Sequence, residues 1–457
     1  MSINKHRSLV RDAAVILALA VFASTGFAQD SAAPRLDLDT AVETALASNP
    51  QTKLMDSQTR IADAKIAEAK TGKSPTLRFG QSFTRSNNPV FVFGSLLEQG
   101  RFAATNFALN SLNHPDGLNN FRTALEARVP IFDQRQTFSR VSQARNGREQ
   151  VDLKTEQVRQ QLRFEVVRTY YGVVLADSLV GIFDEAVASA EANLKKTKDL
   201  VDVGMTTKAD SLSAEVELAR TTQNKLEAES NLTTAKAELN LVMGDSPSID
   251  RETTGILKET FFPIEDKEEL IRIALENRPD LKQAQLEIEN SKIRSRSIKD
   301  QKLPEVSAFG NYGYSSPYIT NGSADYTVGV TLSYTVFDPG RKARLAQAVE
   351  GETAAGYQKD ILADKIRLEV IRAFEKYKTA RAKIQVSIKT IAQSEEALRI
   401  VQDRYRNALA TFDEVLRAEA ALVRSKHDLQ MSRYEYYISY AAVQLATGRL
   451  TDVRAFE

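Results

Sequence analysis

The sequence predicts a mainly helical fold with a smaller β part, built from an internally duplicated helix–strand–strand–helix unit. Three observations carry this. Apolar and small residues step in alternating fours and threes over long stretches, the signature of a coiled-coil seam. That seam occurs twice, each time bent back on itself at a similar turn. Between the helical stretches the period drops from about 3.5 to about 2 residues, in two paired runs per half.

The second seam is the cleaner. It descends through Ile366, Val370, Ala373, Tyr377, Ala380, Ile384, Ser387, Ile391, Ser394, Leu398, Val401 and Tyr405. It returns through Val415, Ala418, Leu422, Ser425, Leu429, Ser432 and Tyr436 and ends at Gly448, a C-cap. Large and small residues alternate by heptads, so the helices can approach closely. The first seam descends from Leu162 to Val201 and returns from Ala214 to Leu239, interrupted by Lys225. The turns align: Gly204-x-x-Thr207-x-x-Asp210-x-Leu212-x-Ala214-Glu215 against Ala408-x-x-Thr411-x-x-Glu414-x-Leu416-x-Ala418-Glu419. Length alone would allow several domains; the repeat argues for two copies of one elongated unit.

Composition narrows the function. Lys5, Arg7 and Arg11, the apolar run Ala13–Ala23 and Gly26-Phe27-Ala28 read as a secretory signal over residues 1–28. The apolar run is too short for a membrane anchor. With 61 Lys and Arg against 60 Asp and Glu, no basic nucleic-acid surface is expected. The absence of cysteine excludes disulfides, thiolate metal sites and a lipidated N-terminal Cys. His6, His114 and His427 leave little material for a metal site or a catalytic triad, so no cofactor and no enzymatic activity are expected.

Residues 29–250 form the first repeat and 251–457 the second. Each opens with a short helix, a proline turn (Asn49-Pro50, Arg278-Pro279) and a longer helix, with Asp39 or Thr40 as the first N-cap. Strands follow at about 75–86 and 120–132, and at about 304–314 and 325–337. One face carries Leu77, Phe79, Phe83, Leu125, Val129, Tyr326, Val328, Val330, Leu332, Tyr334 and Val336. The other carries Arg78, Arg122, Glu126, Arg128, Asp325 and Thr327, and Phe309 breaks the pattern. Such runs suit transmembrane β-strands. Four of them cannot close a barrel, and open edges are not tolerated in lipid, so copies of the chain must complete it. Asn87–Asn120 reads as a long exterior loop and Ser315–Ala324 as a short one.

After each strand pair comes Phe-Asp (Phe132-Asp133, Phe337-Asp338), whose Asp caps the descending helix. The helical hairpins then span about 133–244 and 340–448, each descending helix about 105 Å long. Gly244–Asp266 and the C-terminal tail fall at a waist between stacked helices.

In the order and spacing of these features the mature chain resembles the TolC-type outer-membrane factor family. The carrying residues are the duplicated unit, the Leu-Pro and Phe-Asp strand borders, Val203-Gly204-Met205 followed by Asp210, Tyr405-x-x-Ala408 followed by Glu414-Val415-Leu416, and Leu445-Ala446-Thr447-Gly448. The resemblance implies a homotrimer with a twelve-stranded outer-membrane β-barrel, continued by a periplasmic α-helical coiled-coil barrel. It implies an exit duct passing small molecules from an inner-membrane RND or ABC transporter through a periplasmic adaptor (membrane fusion protein). Type I protein secretion is the alternative, and a secreted coiled-coil structural protein a remote one. By the same resemblance, Tyr405 and Asp210 hold the periplasmic mouth shut, with Glu414 and Arg417 at its constriction. Val203, Gly204, Met205, Asn407, Ala408 and Leu409 dock the adaptor. Two departures stand out: Ala408 replaces the usual glycine, and Arg417 stands where the family often has an acid.

Overall fold

The computed structural model of the protein describes residues 35–319, 322–407 and 409–456; the signal at 1–28 and Ala408 lie outside the described residues. In chain order the elements are β1 (Arg35–Leu36), α1 (Leu38–Ser48), α2 (Pro50–Lys70), β2 (Thr76–Ser86), α3 (Pro89–Glu98), α4 (Leu109–Asn113), β3 (Leu118–Asp133), α5 (Gln136–Asp202) and α6 (Lys208–Met243). The second half supplies β4 (Glu252–Thr253), α7 (Lys267–Asn277), α8 (Pro279–Asp300), β5 (Glu305–Ser316), β6 (Ser323–Ser333), α9 (Gly340–Arg406) and α10 (Phe412–Ala446).

The two descending helices, α5 and α9, hold 67 residues each, about 100 Å at 1.5 Å per residue. Along the upper half of α9 the seam residues Ile366, Val370, Ala373, Tyr377, Ala380 and Ile384 are all buried. Lower down serine replaces alanine, and the seam closes by hydroxyl contacts: Ser387 Oγ lies 3.1 Å from Ser432 Oγ, and Ser394 Oγ 2.9 Å from Ser425 Oγ. Small side chains permit the approach, and each buried hydroxyl finds a partner. In the first hairpin, the Lys225 ammonium lies 2.6 Å from the Asp184 carboxylate of α5.

The returning helices α6 and α10 end where the opening helices of the same repeat turn. Asn49 Nδ2 donates to the Val242 carbonyl (2.8 Å), and Arg278 donates to the Ala446 carbonyl (3.3 Å). The residue before each proline thus satisfies a free C-terminal carbonyl of its neighbour. Gly244 (φ +81°) and Gly448 (φ +71°) close these ends in the left-handed region. A Cβ on Gly244 would sit 2.8–2.9 Å from the Ser48–Asn49 backbone. Arg278 is itself held by Asp280 (2.7 Å) and Glu369 (2.9 Å).

At this waist the core is aromatic. Tyr170, Tyr171, Tyr377, Tyr436, Tyr437, Phe262 and Phe456 are all buried. Their hydroxyls pin irregular backbone: Tyr171 donates to the Phe456 carbonyl (2.7 Å) and Tyr170 to that of Leu36 (3.1 Å). Tyr436 accepts from the Phe262 amide (2.7 Å), Tyr437 accepts from that of Lys258 (3.2 Å), and Tyr377 donates to the Phe262 carbonyl. A buried loop needs such partners for its peptide groups.

Four strands form one antiparallel sheet in the order β2-β3-β5-β6, while the short β1 and β4 pair in parallel apart from it. The register puts Leu77, Phe79, Phe83, Leu125, Tyr312, Tyr326, Val328, Val330 and Leu332 on one face. Arg78, Glu126, Arg122, Arg128, Asn311, Asp325 and Thr327 share the other. Phe309 lies on the polar face opposite Gly329, where a Cβ would come within 2.7 Å of its ring. Among the described residues, the outer edges of β2 and β6 pair with nothing.

Four boundaries differ from the sequence reading. Helix α1 starts at Leu38, because Asp37 is the cap and accepts from the Thr40 amide (2.7 Å). Strand β3 begins at Leu118, paired with Ser86. Strand β6 stops at Ser333, because β5 begins opposite it at Glu305 and leaves Tyr334–Val336 no partner within the chain. The segment Asn87–Asn120 is an ordered insertion carrying α3 and α4, not an open loop.

Gly244 and Gly204 separate two effects. Both have φ near +75° (φ +81° and +72°), but a Cβ on Gly204 meets nothing within 4 Å. Gly204→Ala should cost about 1 kcal/mol of local stability. Gly244→Ala adds a backbone clash and should cost roughly 2–4 kcal/mol. Thermal unfolding followed by circular dichroism checks this; equal losses would contradict it.

Candidate functional site: the helical tips

Both hairpin turns rest on the same local device. At the first, the Gly204 amide donates to the Val201 carbonyl (3.0 Å) and the Met205 amide to that of Leu200 (2.9 Å), with Gly204 supplying the positive φ. This leaves Val203 and Met205 exposed at the extremity. Helix α6 then starts with a capping box: Thr207 Oγ1 accepts from the Asp210 amide (3.2 Å), and Asp210 Oδ2 accepts from the Thr207 amide (3.2 Å). The Thr206 hydroxyl (2.7 Å) and the Thr207 hydroxyl (2.8 Å) also donate to Asp210. These bonds, that of Thr206 first, hold the Asp210 carboxyl below the ordinary carboxylate range.

The second tip repeats this with Thr411 and Glu414, the reciprocal bonds both at 3.3 Å. Asn407 Nδ2 caps the Asp403 carbonyl (2.8 Å), the Leu409 amide donates to the Arg404 carbonyl (2.8 Å), and Leu409 stays exposed. The Tyr405 ring packs on Phe412, centroids 5.8 Å apart. Arg417 reaches back one turn to Asp413 (2.6 Å) instead of to Glu414. Among the described residues, Tyr405 and Asp210 make no hydrogen bond to each other within the chain. Val203, Gly204 and Met205 thus form one tip, and Asn407 and Leu409 the other.

A residue the sequence reading did not single out joins the two hairpins just above the tips. Glu419 of α10 receives both of its close bonds from Asn193 Nδ2 of α5, at 2.8 Å to each carboxylate oxygen, with Ser189 Oγ at 3.5 Å. It borders a cleft of about 1050 Å³ between the hairpins, lined by Phe183, Glu217, Arg220, Asn224 and Leu398. Its repeat counterpart Glu215 instead pairs with Lys198 (3.0 Å). The turn alignment placed both glutamates at one position; both partners lie on α5, which Glu215 meets within its own hairpin and Glu419 across to the other.

Burial is the main cause that raises the Glu419 carboxyl above its ordinary 4.5; nearby Glu217 adds to it and the Asn193 bond opposes it. A raised carboxyl is favoured protonated by the fold. Its contribution is therefore full below pH 4.5 and is lost as pH rises through the folded value. Glu419→Gln, which keeps an acceptor for Asn193 without a charge, should flatten the loss of thermal stability as pH rises above 4.5. Identical pH slopes in the two proteins would show that Glu419 titrates as an exposed acid.

Among the described residues, no helix is long and apolar enough to cross a membrane, and no cluster of acidic or histidine side chains could hold a metal ion. The polar elements of the site are helix ends, capping boxes and one face of a sheet. Comparison with known proteins accords with that geometry. The family model described as "Outer membrane efflux protein" matches residues 41–245 and 270–449. The outer membrane efflux protein BepC of Brucella suis is 21% identical over 406 residues, 86% of this chain and 81% of that protein. The outer membrane protein TolC of Vibrio cholerae is 22% identical over 331 residues, 70% of this chain and 75% of that protein. Among solved structures, the Campylobacter jejuni CmeC outer membrane channel superposes with a TM-score of 0.73 at 17% identity, covering 90% of this chain and 85% of its own. The chain therefore belongs to the outer membrane efflux protein family, TolC-type transport channels of the outer membrane that extend into the periplasm.

Proposed function

We propose that three copies of the chain close one twelve-stranded barrel and one helical tube beneath it, forming the passive exit duct of a tripartite export system. The observation that carries this is the sheet: four strands, apolar on one face and polar on the other, with both edges unpaired within the chain. In hydrocarbon an open edge costs several kcal/mol per unsatisfied group, and a neighbouring copy removes it. The helical part agrees. Val216, Leu226 and Leu241 of α6 and Ile361 and Val386 of α9 are apolar and exposed, surface that a neighbouring copy would cover. A polar lumen with no catalytic constellation suits passive conduction of small molecules delivered by an RND or ABC transporter.

In this reading Val203, Gly204, Met205, Asn407, Ala408 and Leu409 dock a periplasmic adaptor, with Val203, Met205 and Leu409 presenting exposed apolar surface. Tyr405 and Asp210 hold the mouth shut when the hairpins tighten around the axis. Threefold symmetry makes a ring of Glu414 beside a ring of Arg417, and Asp413 partly neutralises the latter.

Two experiments test the reading. Val330→Arg, on the apolar face, should abolish heat-modifiable trimers in the outer-membrane fraction, because a basic charge at the bilayer midplane costs roughly 2–4 kcal/mol per copy. A stable membrane-inserted monomer would refute the trimer. Tyr405→Phe with Asp210→Ala should raise single-channel conductance in planar bilayers, since only a few hydrogen bonds hold each closed interface. Arg417→Asp should raise cation selectivity. Unmoved conductance and selectivity would place the gate elsewhere.

A further inference from the structure

The insertion between β2 and β3 folds back over the sheet, and Glu98 and Gln99 bond side chains of the polar face. Helix α3 is capped by Asn88, whose Oδ1 accepts from the Val90 amide (3.0 Å) and the Phe91 amide (3.2 Å). Val92, Ser95 and Gln99 lie on one side of it, at spacings of three and four, and all three are buried. Gln99 Nε2 donates to the Asn119 carbonyl (2.8 Å) and to Asn120 Oδ1 (3.0 Å) at the start of β3. Glu98 lies 3.3 Å from Arg122 and accepts from Ser315 Oγ at 3.3 Å. By register Asn120, Arg122, Ser315 and Asp325 all belong to the polar face.

Arg122 anchors this contact. It crosses from β3 over β5 to reach both carboxylate oxygens of Asp325 on β6 at 3.0 Å, and accompanies Ser315 Oγ at 3.0 Å. It can cross because residue 313 is glycine; a Cβ there would lie 2.6 Å from the guanidinium. Fork-shaped pairing of this kind fixes geometry as well as charge. The turn after α3 lies close to the sheet too: a Cβ added at Gly100 (φ +64°) would sit 3.5 Å from the Ser323 side chain at the start of β6. The helix thus spans from the end of β2 to β6 at the strand ends farthest from the helical body. Beyond it, Phe93, Phe102 and Phe107 form an edge-to-face cluster with centroids 4.9 and 5.1 Å apart. On the flank of α3 opposite the sheet, Val90 is 82% and Leu97 52% exposed.

We propose that residues 89–113 are an inward-folded lid that narrows the outer mouth of the duct and sets a second, extracellular size limit on what passes. The proposal rests on the duct reading: the polar face lines the lumen, so a helix held against it lies inside the barrel. Threefold repetition brings three Val90–Leu97 flanks toward the axis. Apolar side chains ringing a narrow aqueous passage form a constriction that also disfavours water. The Glu98–Arg122 and Gln99–Asn120 contacts are the latch, while Arg122–Asp325 belongs to the wall and stays intact when the latch is cut.

The chain contains no cysteine, so a single introduced thiol reports access directly. Thr331→Cys places one on the polar face near the inner end of β6, below the lid. Intact cells are treated from outside with a small charged methanethiosulfonate and, separately, with a polymer-bearing maleimide. With the lid latched, the small reagent should label and the polymer should label poorly. Glu98→Ala with Gln99→Ala, or replacement of 89–113 by a short Gly–Ser linker, should raise polymer labelling several-fold without changing the small-reagent rate. Equal polymer labelling in all three backgrounds would overturn the lid and leave the duct standing. Failure of the small reagent to label Thr331→Cys in any background would overturn the duct reading itself, and the lid with it.

Discussion

A peptide group left without a hydrogen-bond partner in hydrocarbon costs several kcal/mol, and the sheet of this chain presents two whole edges of them. That constraint reaches further than the membrane. In the proposed trimer, apolar surface that would be a liability on a monomer becomes the material of an interface. The exposed apolar positions of α6 and α9 and the unpaired run Tyr334–Val336 beyond β6 are of this kind. It also forces the sheet to be two-faced, because the side that meets lipid cannot be the side that meets water.

The helices solve a different problem, which is length. A duct about 100 Å long cannot be braced by one continuous partner on each side. It is braced by a returning helix below and a pair of opening helices above, and the joint between them is the weak point. There the free carbonyls of α6 and α10 are taken by Asn49 and Arg278, and the C-terminal glycines let backbone meet backbone. The tyrosine cluster then locks the irregular segments across the joint through five hydroxyl contacts to main chain.

Periodicity made the long elements readable. The seams from Leu162 and Ile366 and the alternating faces of the strands are local patterns, and the structure keeps their spacing. Less was legible where the decisive partner is distant in sequence. Tyr437 and Tyr440 look like any helix residues until the segment around Phe262 packs on them. Glu419 and Glu215 hold the same place in the repeat, yet one finds Asn193 and the other Lys198. The insertion Asn87–Asn120 has loop composition; its order comes from Arg122, Asn120 and Ser315, which the pattern showed only as a polar face.

The two repeats agree most closely at the waist and part at both ends. At the waist Asn49 and Arg278, and Gly244 and Gly448, do equivalent work with unlike or identical side chains. At the lower end a glycine tip faces one that lacks it, and at the upper end a helical insertion faces a short turn. This division follows from mechanics. A joint that bears the length of the tube has one good solution, which both copies keep. In the proposed trimer the ends meet other bodies, and there two unlike surfaces per chain would give six positions of two kinds instead of six of one. An exit duct with distinct alternating tips can offer a partner two kinds of docking site, and an insertion on only one strand pair can cover the mouth without crowding it. The two copies thus differ where the proposed docking and gating lie, and agree at the joint that carries the length of the tube.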